Sequence, residues 1–86
     1  MADVVMYCTA SCPYCVMAER LLKARGVDDI HKVRVDLDPG QRASMMERTG
    51  RRTVPQIFID GKPVGGSDEL HALERSGELD KLLGRA

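Results

Sequence analysis

No apolar run in this chain approaches the roughly 20 residues that carry a helix across a bilayer, so a membrane-spanning helix is not expected. Net charge is missing too. Lys plus Arg total 13, matched by 13 Asp plus Glu, so global electrostatics gives no reason to expect nucleic acid or a membrane surface as partner. Cysteine is scarce, and its count of 3 is odd. That excludes the even disulfide framework of a small secreted scaffold. In place of the basic start and long apolar stretch of an export signal, the N-terminus has Asp3. Internal repeats, linkers and low-complexity segments are also absent. The 86 residues are therefore expected to form one domain over 1–86, in the reducing cytoplasm. In that compartment a closely spaced cysteine pair is usually metal-binding or catalytic, and rarely structural.

What the chain does have is ordinary core material, 43% hydrophobic, in alternating strand and helix patterns. Residues 3–8 read as a buried strand. Pro13 suits a first helical position. The helix it opens carries Val16, Met17, Leu21 and Leu22 on one face and ends at Gly26. Residues 31–37 alternate, predicting a half-buried strand with Val33, Val35 and Leu37 inward. Pro39-Gly40 reads as a turn before a helix over 41–49, with Met45 and Met46 inward and Gly50 closing it. Residues 56–59 read as a strand, and Asp60-Gly61 is a two-residue hairpin signal returning the chain over 62–64. Ser67 is expected to cap a third helix with Leu70 and Leu73 inward and Asp68 and Glu69 in its first turn. Gly77 breaks that helix before a short last one. A βαβ unit plus a β-hairpin makes an α/β fold: a four-stranded mixed sheet with helices on both faces.

Three stretches carry candidate chemistry. Cys12-Pro13-Tyr14-Cys15 lies between the first strand and the first helix, at the carboxyl end of a strand where open α/β sheets place ligands. A thiol at a helix N-terminus meets unpaired N–H groups and the positive end of the helix dipole, and both favour thiolate. Cys12, at the cap, is then the nucleophile, and Cys15, within the first turn, the resolving thiol. The second stretch is Thr53-Val54-Pro55. Proline restricts the residue before it to extended backbone, and beside a reactive pair the position predicts a cis Val54–Pro55 bond. Extended Val54 would offer its backbone to a peptide-like substrate, as in strand addition. The third is Gly65-Gly66-Ser67-Asp68, whose glycines allow close backbone approach and whose helix start suits a carboxylate. Metal is disfavoured. A zinc site needs four ligands, and beyond the pair only Cys8, His31 and His71 remain. Cys8, Cys12 and Cys15 also spell C-x3-C-x2-C, which resembles the cluster motif of radical S-adenosylmethionine enzymes. Pro13, however, opens a helix inside what would have to be a ligating loop, and the chain is too short for that barrel.

In this order and spacing, CPYC, TVPQIFID and GGSDEL resemble the dithiol glutaredoxins in their small bacterial form. The resemblance covers nearly the whole chain. It implies a thioredoxin-like fold and glutathione as co-substrate, with no permanently bound cofactor and no metal. It further implies a monomer that reduces disulfide-containing or glutathionylated proteins through Cys12 and Cys15. By the same resemblance Thr53, Val54, Pro55, Gly66, Ser67 and Asp68 hold glutathione: Val54 pairs with its cysteinyl backbone, and Ser67 and Asp68 take its γ-glutamyl end. Tyr14 packs beside the sulfurs, and Arg42 takes the glycine carboxylate. Arg48, Arg51 and Arg52 join Arg42 in a locally basic stretch. Thioredoxins proper are disfavoured, because their tryptophan before a CGPC motif is absent. Two positions depart from the family pattern. Thr9 stands where many members carry a lysine that contacts glutathione and stabilises the thiolate, and Cys8 stands where Thr or Ser is usual. The alternatives are reduction by thioredoxin reductase, and a dimer holding a glutathione-ligated two-iron, two-sulfur cluster.

Overall fold

In the computed structural model, which describes residues 2–84, eight elements follow one another: β1 (Val4–Cys8), α1 (Pro13–Ala24), β2 (Ile30–Arg34), α2 (Pro39–Thr49), β3 (Gln56–Ile59), β4 (Lys62–Gly65), α3 (Ser67–Ser76) and α4 (Glu78–Leu82). The four strands form one sheet in the order β2-β1-β3-β4. β1 runs parallel to β2 and antiparallel to β3, and β4 returns antiparallel to β3. At the hairpin Asp60 and Gly61 both have positive φ, 52° and 79°, as a two-residue turn matched to strand twist requires.

Alternation along β1 and β3 divides the interior in two. Val4, Met6, Cys8, Ile57 and Ile59 face one layer, where they pack with Ala18 and Leu22 of α1, Leu70 of α3 and Leu79 of α4. Tyr7 and Phe58 face the other, against Met45 of α2 and Val35. Helices thus cover both faces of a mixed sheet, as the sequence pattern implies.

Four local expectations are corrected. β2 ends at Arg34, and Leu37 is 72% exposed rather than inward. Leu37 N–H bonds back to the Arg34 carbonyl at 3.2 Å, and Asp36 accepts from the Arg34 guanidinium at 2.7 Å through each oxygen, so the chain curls and the alternation stops. Pro39 does not precede α2 but opens it. Asp38 is the N-cap and accepts from the Gly40 and Gln41 N–H groups, which leaves proline at a position that needs no N–H. On α1, Val16 and Met17 are 48% and 46% exposed, because Cys15, Ala18 and Leu22 are the residues turned to the sheet. The N-cap of α3 is Gly66, not Ser67.

Candidate active site

The strand directions gather the three candidate stretches. β1 leaves the sheet, β3 enters it and β4 leaves it at the same end, since Tyr7 pairs with Gln56 and Ile57 with Gly65. The loops after β1, before β3 and after β4 therefore meet although they are far apart in sequence.

Cys12 occupies the N-cap of α1 in extended backbone, with Pro13 following at the first helical position. A disulfide joins it to Cys15, with the Cα atoms 5.2 Å apart. Cys15 N–H donates to Cys12 Sγ at 3.2 Å. Cys15 is buried and Cys12 partly exposed. Cys12 Sγ lies 3.8 Å from the Val54 carbonyl oxygen, and the Val54–Pro55 bond is cis, as its sequence context predicts.

A groove of about 280 Å³ adjoins these atoms. Tyr14 lines it from α1, Thr53, Val54 and Pro55 from the loop before β3, and Gly66, Ser67 and Asp68 from the start of α3. Arg42 is not among its lining residues, and its guanidinium donates to the Arg52 carbonyl at 3.2 Å. The expected basic stretch is dispersed. Arg48 donates to the Tyr7 hydroxyl at 2.9 Å and sits 4.1 Å above the Phe58 ring, a cation–π contact that braces the second core. Only Arg51 of this stretch reaches the groove.

Two residues of this neighbourhood were not singled out from sequence as site residues. Glu69 lines the groove, and its Oε1 accepts from Gly66 N–H and from Arg51 Nη1, each at 2.7 Å. The Gly66 hydrogen bond, then Arg51, hold its carboxyl below the ordinary value. Its position three residues beyond the N-cap is the capping-box spacing, the signal that would have found it. Gly65, at φ +111°, leaves room for this carboxylate: a Cβ there would lie 2.6 Å from Glu69 Oε1. Gly66 passes against the Pro55 carbonyl, 3.2 Å from where its own Cβ would stand. The second missed residue is Gln56, whose buried amide donates to the Thr53 carbonyl at 3.0 Å.

Behind the disulfide lies a smaller cavity of about 200 Å³, lined in part by Cys8, Thr9, Cys12 and Cys15. Burial pushes the Cys8 thiol up, against the opposing pull of Lys32 and Arg34, which lowers its thiolate fraction. Among the described residues no three His, Cys, Asp or Glu side chains are grouped as metal ligands.

A Cys-x-x-Cys pair at the first helix of a βαβ unit, facing a cis-proline loop, defines a thiol–disulfide redox protein of thioredoxin-like fold. Comparison with known proteins carries this further. Residues 4–64 match the family model described as glutaredoxin. A glutaredoxin of Pseudomonas aeruginosa is 51% identical over 83 residues, 96% of this chain and 98% of the relative. Glutaredoxin 3 of Escherichia coli K12 is 46% identical over 83 residues, 96% and 99% of the two chains. Among solved structures, the solution structure of glutaredoxin from Brucella melitensis superposes with a TM-score of 0.86 at 46% identity, covering 99% of this chain and 91% of that one. The crystal structure of a buckwheat glutaredoxin–glutathione complex gives a TM-score of 0.88 at 29% identity, covering 96% and 77%. The chain belongs to the glutaredoxin family, whose function is glutathione-dependent thiol–disulfide oxidoreduction.

Proposed function

We propose that Cys12 is the attacking thiol, Cys15 the resolving thiol, and the adjoining groove the glutathione site. The observation that carries the division of labour is their unequal placement: Cys12 is partly exposed at the N-cap, with a backbone N–H on its sulfur, and Cys15 is buried beneath it. Hydrogen bonding to sulfur and the helix dipole both favour the Cys12 thiolate once the disulfide is reduced.

In the dithiol route, the Cys12 thiolate attacks one sulfur of a protein disulfide. A mixed disulfide forms and the other sulfur leaves as thiolate. Cys15 then attacks Cys12 Sγ, which releases the second protein thiolate and closes the Cys12–Cys15 disulfide. Two glutathione thiols restore the dithiol and leave as glutathione disulfide. In the monothiol route, Cys12 takes the glutathionyl group from a mixed disulfide, freeing the substrate thiol, and a second glutathione removes it. Glutaredoxins as a class have potentials of about −200 to −230 mV, against about −270 mV for thioredoxin, within reach of the glutathione pool.

Glutathione, in this reading, lies along the groove. Extended Val54 pairs with its cysteinyl backbone. Thr53 and Pro55 shape that segment, and Tyr14 packs beside the sulfurs. The start of α3, with Gly66, Ser67 and Asp68, receives the γ-glutamyl end: N–H groups for its carboxylate and Asp68 for its ammonium. Arg51 supplies a cation along the groove, and Arg42, outside its lining, takes the glycine carboxylate by exchanging the Arg52 carbonyl for it. The protein partners are disulfide-bearing or glutathionylated proteins, met by a monomer in the cytoplasm. No helix among the described residues is long and apolar enough to cross a membrane. The test is a titration of the reduced, 15N-labelled chain with glutathione. Val54, Gly66, Ser67 and Asp68 amide signals should move while those of Asp28 and Leu83, which line a different cavity, stay. The opposite pattern would refute the groove assignment.

A further inference from the structure

Gln56 presents an unusual combination: it opens β3, it is polar, and it is only 1% exposed. It lies opposite Tyr7 and two residues before Phe58, so it shares the face on which Tyr7, Phe58, Met45 and Val35 pack. An amide placed there costs free energy unless it is hydrogen-bonded. Its Nε2 donates to the Thr53 carbonyl at 3.0 Å and lies 3.5 Å from Thr53 Oγ1. The bond spans the cis Val54–Pro55 segment from a side chain, where Pro55 has no N–H to donate.

The consequence falls on Val54. The Thr53 carbonyl and the Val54 N–H belong to one planar peptide unit, and in a trans peptide they point in opposite directions. Holding the carbonyl inward on Gln56 turns the Val54 N–H outward. The Val54 carbonyl, on the next peptide unit, lies on the side of Cys12 Sγ, 3.8 Å away. The Val54 N–H is thereby set for a strand-like partner. We propose that Gln56 is a positioning residue: its buried amide fixes the Thr53–Val54 peptide so that Val54 N–H is presented to the peptide backbone of the glutathionyl substrate. The proposal rests on the groove being the glutathione site.

The test is Gln56→Met, which keeps length and volume and removes the donor. Exposed Thr53 can give its carbonyl to water, so the variant should fold. The KM for a glutathionylated peptide should rise about fivefold to tenfold, the weight of one backbone hydrogen bond, with kcat within about twofold. The potential of the Cys12–Cys15 couple and the pH profile of Cys12 alkylation should not move. An unchanged KM in the folded variant overturns the proposal, and so does a KM rise accompanied by a shifted potential or alkylation profile. A measurement on the unmutated chain decides the matter even if the variant fails to fold. The Gln56 side-chain amide protons should exchange with solvent far more slowly than those of exposed Gln41, and equal rates refute the clamp. Val54 signals unmoved by glutathione in the unmutated chain would reject the groove reading and the proposal together. Moved signals with an unchanged KM in the variant reject the proposal alone.

Discussion

One oxygen of Glu69 gathers two groups at the groove, the Gly66 N–H and the Arg51 guanidinium. Both favour the carboxylate, so its folded pKa lies below 4.5. A depressed carboxyl contributes stability that is present above the unfolded pKa and is lost as pH falls through the folded one. Thermal unfolding followed downward from about pH 4.5 should therefore fall less steeply in Glu69→Gln than in the parent. Glu69→Ala, which also removes the acceptor for Gly66, should cost about 1 kcal/mol at neutral pH; an unchanged Tm in both would contradict this role. Asp36, in the loop after β2, reaches across to the loop that precedes the Cys12–Cys15 pair. The Arg34 guanidinium holds its carboxyl down to about 2, with help from the Ala10 N–H. An NMR titration should find that value in the parent and a return toward 3.8 in Arg34→Gln.

Among the elements, α3 depends most on a particular backbone. Gly65, at φ +111°, ends β4, and a Cβ there would meet Glu69 Oε1, Cγ and Cβ at 2.6, 2.9 and 3.0 Å. Gly65→Ala should lose about 1 to 3 kcal/mol by denaturant unfolding, and glutathione-dependent turnover should fall with it. How much of this was legible in sequence varies with the kind of signal. The cysteine pair, Thr53-Val54-Pro55 and Asp60-Gly61 were readable because each depends on chemistry confined to a few neighbouring residues. Leu37 was misplaced because Arg34 and Asp36 bend the chain through side chains that an alternation pattern ignores. Val16 and Met17 were misplaced because burial of Cys15 turns α1 by a residue. A hydroxyl is the commoner cap signal and points to Ser67, whereas the cap is a glycine answered by Glu69. Gln56 is not legible as a site residue because its partner, Thr53, is reached only through the folded loop, and the Arg51–Glu69 pair forms only once α3 packs beside that loop.

For the whole molecule, the sheet order is what makes a site: two strand exits and one strand entry share an end, and three short motifs become one surface. The cores above and below that sheet hold it in place. Leu22 is fully buried between α1 and the sheet, and Leu22→Ala should cost about 2 to 5 kcal/mol while leaving the potential of the cysteine couple unchanged. The central claim is that Cys12 attacks and Cys15 resolves. The most direct test measures glutathione-coupled turnover of a glutathionylated peptide by Cys12→Ser and Cys15→Ser side by side. Cys12→Ser should be inactive and Cys15→Ser should keep much of the parental rate, whereas equal loss in the two variants would contradict the assignment.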